Sequence, residues 1–146
     1  MDAELSLEDM AGWIRGVAGR GIFNVAVCDE GGLVLGFQSV EPLSKSDPAL
    51  RHVGEISTFV SLTSHRQGIG RGLACATLEG ARKQGFLKII AAIRADNPEA
   101  VSFYRDQGFK LIGTARKHAL VSGEYLDEVL MELLIGDFSF DSKCGD

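Results

Sequence analysis

Ser64-His65-Arg66-Gln67-Gly68-Ile69-Gly70-Arg71-Gly72-Leu73 is the stretch on which the fold turns. Upstream of it, His52–Leu62 is apolar and rich in β-branched residues, and reads as a strand. Downstream, Gly70–Gln84 reads as a helix with Leu73, Ala76, Thr77, Leu78 and Ala81 on its inner face, and Gly85 as its stop. A glycine loop between a strand and a helix lets the backbone approach a ligand and aims free helix N–H groups at an anion. Arg66 and Arg71 add positive charge at the same place. A phosphate-bearing ligand fits this arrangement, although a plain turn also accounts for a bare glycine loop. Two familiar phosphate loops do not fit. A dinucleotide fingerprint spaces its glycines G-x-G-x-x-G and carries an acid about 20 residues on. Here Gly68, Gly70 and Gly72 are followed by Leu73, and the next strand runs out at Arg94. A P-loop needs Lys followed by Ser or Thr after its last glycine, and neither follows Gly72.

Working outward, Leu5–Val17 carries Leu5, Leu7, Met10, Trp13, Ile14 and Val17 at helical spacing, with Ser6 as a candidate N-cap and Gly19 and Gly21 beyond it. Ile22–Cys28 and Leu33–Val40 read as strands joined by the turn Asp29-Glu30-Gly31-Gly32. Pro42–Leu50 reads as a loop. Lys88–Ile93 is a short apolar strand, expected to be buried on both faces. Asn97-Pro98 caps and opens a helix that runs to about Gln107 and stops at Gly108. Phe109–Ala115 and Glu128–Leu134 are two closing strands joined by Arg116–Asp127. The central strand-helix-strand unit predicts a parallel pair and the flanking hairpins predict antiparallel ones, so the fold class is a mixed α/β sheet. Residues 1–135 form one domain in this reading and 136–146 a polar tail.

Composition narrows the function classes. The chain has 146 residues, enough for one core. Its 15 basic and 20 acidic residues leave a net charge of −5, which disfavours nucleic acid as a partner. No apolar run reaches the ~20 residues of a membrane helix. The acidic start Met-Asp-Ala-Glu lacks the plan of a signal peptide, so a cytoplasmic location and no membrane partner are expected. Cys28, Cys75 and Cys144 form no CxxC pair, and His52, His65 and His118 have no metal-ligand spacing, so reduced thiols (Cys28 and Cys75 buried) and no metal are expected. Ser57 and Ser64 lie in no nucleophile-elbow motif, which disfavours a serine hydrolase.

His65–Gly70 resembles the coenzyme A pyrophosphate loop of the GNAT acetyltransferases, Q/R-x-x-G-x-G/A, with His65 standing where Gln or Arg is usual and Arg66 one place from the usual arginine. Asn97-Pro-Glu-Ala100-Val-Ser-Phe-Tyr104-Arg-Asp-Gln-Gly108-Phe109 is similar to that family's N-x-x-A-x-x-x-Y-x-x-x-G-F. Gly123-Glu-Tyr125-Leu-Asp127-Glu-Val-Leu-Met131 resembles a closing strand of the amino-acid and phosphinothricin-type members. The resemblance spans roughly Gly54 to Ile135 and implies an acyl-CoA N-acyltransferase fold with a shortened N-terminus, since the strand and helix that usually come first have no counterpart.

The resemblance implies acetyl-CoA as acetyl donor, with no metal. It places His65, Arg66, Gln67, Gly68, Ile69, Gly70, Arg71 and Gly72 at the pyrophosphate, backbone near Phe59 and Val60 at the acetyl and pantetheine amides, and the Asn97 amide at the cofactor. As side chains Phe59 and Val60 read as core, and Asn97 reads as an N-cap. Acetyl transfer to an amine needs a base for the amine proton and a proton for the leaving thiolate. Glu55 is the candidate base, with a paired strand carboxylate as the plain alternative. Tyr104 is the candidate acid, with a core tyrosine as its alternative. The acceptor is expected between Glu55, the N-terminal helix and Arg116–Asp127, where Arg116, Lys117 and His118 could meet a carboxylate. A small, amino-acid-like primary amine is the expected acceptor. A protein N-terminus or side chain is the alternative within the class, and a silent CoA-binding module the alternative outside it. Thiol release with an amine panel separates enzyme from module, and a preference for NAD over acetyl-CoA would point to an oxidoreductase. An uncovered sheet edge would encourage a homodimer.

Overall fold

The structure is a computed structural model, and it describes residues 21–27, 31–61 and 68–138. The predicted helix Leu5–Val17, Cys28, Asp29, Glu30, Ser64, His65, Arg66, Gln67 and Cys144 lie outside the described residues. Within them one six-stranded sheet forms from β1 (Ile22–Val27), β2 (Val34–Pro42), β3 (Val53–Val60), β4 (Lys88–Arg94), β5 (Lys110–Val121) and β6 (Glu124–Leu134), in the spatial order β1-β2-β3-β4-β6-β5. Two helices, α1 (Ile69–Lys83) and α2 (Pro98–Asp106), and a 3-10 turn at Pro48–Leu50 complete the described elements. β3 and β4 are parallel, joined through α1; the other neighbours are antiparallel. The mixed α/β architecture is therefore the one the sequence predicts.

Register places both helices on one face. Asn24, Gln38 and Thr58 lie opposite one another across β1, β2 and β3. Asn24 donates to Thr77 of α1 at 3.0 Å, and Thr58 meets Tyr104 of α2 at 2.8 Å. Beneath the helices the core gathers Val40, Ile56, Ile89, Ala91, Ile93 and Met131 against Leu78, Ala81 and Tyr104. Each fully buried Ile or Met of this set contributes about 1.5–3 kcal/mol of transfer free energy. β4 buries Ile89, Ala91 and Ile93 on the helix side, but Ala92 is exposed on the other, so the strand is not buried on both faces.

The helix ends follow from sequence. Gly68 is the N-cap of α1 with φ 78°, a left-handed conformation that favours glycine. The Asn97 side chain accepts from the Ala100 N–H at 3.2 Å and Pro98 opens α2, as expected. Three further expectations are corrected. Arg116–Asp127 is no loop: β5 runs on to Val121, a two-residue turn at Ser122 (φ 49°) and Gly123 (φ 80°) follows, and β6 starts at Glu124. Polar Arg116, Lys117 and His118 hide the strand because they sit in a bulge, with Lys117 at φ 48° and its N–H donating to Asp127 Oδ1 at 2.8 Å. Cys75 and Ala76 are exposed, while Ala74 is buried, because the buried stripe of α1 runs Leu73, Ala74, Thr77, Leu78, Ala81. Phe59 is 55% exposed, since strand alternation puts it on the face away from the helices.

Candidate active site

β3 and β4 pair only from Val53 and Lys88 to Ile56 and Ala91. β3 continues to Val60 and β4 to Arg94 without pairing to each other, so the two strands part and leave a notch. Strand alternation says which main-chain groups face it. Ser61 N–H donates to Leu35 O, which turns the odd-numbered residues of β3 toward β2 and Thr58 toward the notch. Ala95 N–H donates to Asp127 O, which likewise turns odd-numbered β4 residues toward β6 and Ala92 toward the notch. The Phe59 main chain is thus directed at β2. A cavity of about 490 Å³ occupies the notch, lined among others by Glu55, Thr58, Ala92, Asn97, Tyr104 and Glu128. A second hollow of about 530 Å³, bounded by Pro42, Asp47, Arg51 and Phe86, lies apart from these residues.

Tyr104 and Glu55 reach the cavity from opposite faces of the sheet. Tyr104, 5% exposed, rises from α2 with its ring edge-on to Phe103 and Phe109, at centroid distances of 5.2 and 5.1 Å. Its hydroxyl lies 2.8 Å from Thr58 Oγ1, which accepts from Gln38 Nε2 at 2.9 Å. Burial holds the phenol above its usual value of 10.0, and the hydrogen bond to Thr58 partly offsets that rise. It stays protonated at neutral pH. Glu55 projects from the other face, opposite Glu41 of β2 in the strand register. Enclosure by the cleft, then the charges of Glu128 and Glu41, push its carboxyl above the ordinary 4.5. A carboxylate held above its usual range is a stronger base once ionised.

The first turn of α1 meets this cavity's neighbour, α2, at Gly70 and Phe103. Helix geometry leaves the N–H groups of Gly68, Ile69, Gly70 and Arg71 without intrahelical partners, and among the described residues no side chain caps them. The Gly72 N–H donates to Gly68 O at 3.0 Å and belongs to the helix. Gly70 has a packing duty: a Cβ there would stand 2.8 Å from Phe103 Cε2. Arg71 and Gly72 are exposed and Ile69 is half-buried. Val60 is half-buried, whereas Phe59 stacks in the open on Phe37 at 5.5 Å. Gln38, Thr58, Ala92 and Glu128 were not foreseen. Only the alternation of β3 could have pointed to Thr58; Gln38 and Glu128 come from other strands and carry no motif.

Residues 2–130 match the family model described as Acetyltransferase (GNAT) domain. The chain belongs to the GNAT acetyltransferase family. Among its relatives is the L-methionine sulfoximine/L-methionine sulfone acetyltransferase of Pseudomonas paraeruginosa, 27% identical over 90% of this chain and 76% of the relative. The GNAT phosphinothricin acetyltransferase of Sinorhizobium meliloti, solved in complex with acetyl-CoA, is 27% identical with a TM-score of 0.82, over 90% of this chain and 71% of that one. The ribosomal-protein-alanine N-acetyltransferase of Brucella melitensis is 31% identical with a TM-score of 0.77, over 89% and 79%. Among the described residues no group of three His, Cys, Asp or Glu side chains is placed to hold a metal ion.

Proposed function

We propose that this GNAT protein moves an acetyl group from acetyl-CoA to the primary amine of a small, amino-acid-like acceptor by direct attack. One observation carries the reading: a gap through the sheet, with a protonated phenol opening onto it from one face and a carboxylate of raised proton affinity from the other. In this reading Glu55 takes a proton from the acceptor ammonium. The freed lone pair forms the C–N bond, the C–S bond breaks as Tyr104 gives its proton to the departing thiolate, and the second proton of the attacking nitrogen leaves to solvent to give the neutral amide. The Thr58 and Ala92 main chains offer partners to the donor's amides. The N–H groups of Gly68, Ile69, Gly70 and Arg71, with the Arg71 cation, suit its pyrophosphate, and Gly72, Val60 and Asn97 flank the same path; His65, Arg66 and Gln67 are assigned to the pyrophosphate from the sequence likeness alone. Relatives named for amino-acid derivatives support the acceptor class.

A second reading, acetylation of a protein N-terminus, is favoured by the likeness to the ribosomal-protein-alanine enzyme. Thiol release from acetyl-CoA, followed with amino acids and with short peptides in parallel, decides between them. Turnover of amino acids above peptides supports the proposal; the reverse transfers it to the second reading. Acetyl-CoA binding without turnover of any amine would make the domain a silent module. Within the mechanism, Glu55→Gln and Tyr104→Phe should each lower kcat by about 10²–10⁴. Unchanged turnover in a folded variant removes that residue from its role.

A further inference from the structure

We infer that Gln38 and Thr58 are positioning residues for Tyr104: together they aim its proton into the notch and stabilise the oxygen left behind. The inference rests on the acid role proposed above. Gln38 is fully buried, and its Nε2 donates to Thr58 Oγ1 at 2.9 Å. A threonine hydroxyl holds one proton and two lone pairs. With one lone pair taken by Gln38, its proton needs an acceptor, and the amide faces it with N–H. The Tyr104 oxygen, 2.8 Å away, is that acceptor. Thr58 therefore donates to Tyr104, and the phenol's own hydrogen turns away from Thr58 toward the cavity that Tyr104 lines. The opposite arrangement, Tyr104 donating to Thr58, would bury the proton meant for transfer and strand that of Thr58.

A packing role does not explain an amide at position 38. Gln38 Oε1 is buried with no partner among the described residues, a cost that an apolar side chain of similar size would avoid. The neighbouring amide, Asn24, is turned to Thr77, so the chain of donors begins at Gln38. As Tyr104 gives its proton, its O–H bond breaks, an S–H bond forms, and the electron pair stays on the phenolic oxygen. The Thr58 hydroxyl, polarised by Gln38 behind it, then makes a charge-assisted hydrogen bond to that oxygen. A proton from solvent restores the phenol after product leaves.

The test compares Thr58→Val, which keeps shape and removes the hydroxyl, with Thr58→Ser, Gln38→Met and Tyr104→Phe. Thr58→Val should lower kcat about tenfold or more, the weight of one hydrogen bond to a charged oxygen. KM for acetyl-CoA should stay within about twofold, because main-chain contacts remain. Thr58→Ser should recover most of the rate, and Gln38→Met should fall in the same direction by less. A spectroscopic titration of the phenols, with Tyr104→Phe isolating Tyr125, should show the Tyr104 midpoint rising in Thr58→Val and in Gln38→Met. That measurement needs no turnover, and Gln38→Met supplies it should Thr58→Val fail to fold. An unmoved midpoint, or a kcat loss matched by a rise in KM, overturns the relay. An intact Thr58→Val beside a crippled Tyr104→Phe overturns it too while sparing the acid role; an intact Tyr104→Phe instead sinks the acid role itself.

Discussion

Two glycines of one helical turn should respond to alanine with opposite signs. A Cβ on Gly70 would stand 2.8 Å from Phe103 Cε2, with Cζ at 3.4 Å and Cδ2 at 3.5 Å. Ordinary contact starts near 3.4 Å, so the ring must retreat by some tenths of an ångström while wedged edge-on against Tyr104. Overpacking of this kind costs about 1–3 kcal/mol. The helix propensity gained on replacing glycine returns about 1 kcal/mol at most, so Gly70→Ala should lose up to about 2 kcal/mol. At Gly72 nothing lies within 4 Å of the added carbon and the residue is exposed, so Gly72→Ala should gain about 0.5–1 kcal/mol. For a chain of this length 1 kcal/mol corresponds to about 3 °C in Tm. Thermal unfolding of the two variants beside wild type should therefore show Gly70→Ala lower by up to about 6 °C and Gly72→Ala higher by about 2–3 °C. Equal stabilisation of both would refute the view that Gly70 exists to admit Phe103.

Glu128→Gln removes a charge that holds the Glu55 carboxyl up. A base works deprotonated, so the acid limb of kcat/KM should move to lower pH; a limb that stays put or rises argues against Glu55 as the titrating base. Asn97→Ala deletes the side-chain acceptor for the Ala100 N–H and should cost about 1 kcal/mol, or about 3 °C by calorimetry. Thr77→Val leaves the Asn24 amide without its acceptor beneath α1, and denaturant unfolding should show a loss of about 1–3 kcal/mol.

Local chemistry explains which parts were legible in the sequence. Asn97-Pro98 marks a helix start because side-chain capping demands a few residue types, whereas the helix expected from Gly70 begins one residue earlier, at Ile69, with Gly68 as its left-handed N-cap. The strand-helix-strand unit followed from the glycine loop between apolar runs. The β5–β6 hairpin was obscured because its turn puts Ser122, a residue with a Cβ, at positive φ, and because the bulge at Lys117 interrupts alternation. Phe59 read as core from hydrophobicity alone, whereas its phase with Glu55 already set it on the other face. Tyr104 was a candidate through motif likeness and Glu55 through the family resemblance of its strand. The Gln38–Thr58 pair was not, since a buried glutamine looks like any surface one until strands and helix meet.

The parting of β3 and β4 has a consequence for how such a protein can change over generations. Peptide groups are common to every residue type, so the opening at Thr58 and Ala92 survives replacement of either side chain as long as the strands keep their pairing up to Ile56 and Ala91. Under the proposed function, Glu41, Glu128 and the β5–β6 hairpin lie outside that main-chain opening, so selection can rewrite them without disturbing the slot. On that reading the recipient side can diverge while the slot is kept, which suits a scaffold whose relatives at 27–31% identity are named for a methionine derivative, phosphinothricin and a ribosomal-protein alanine.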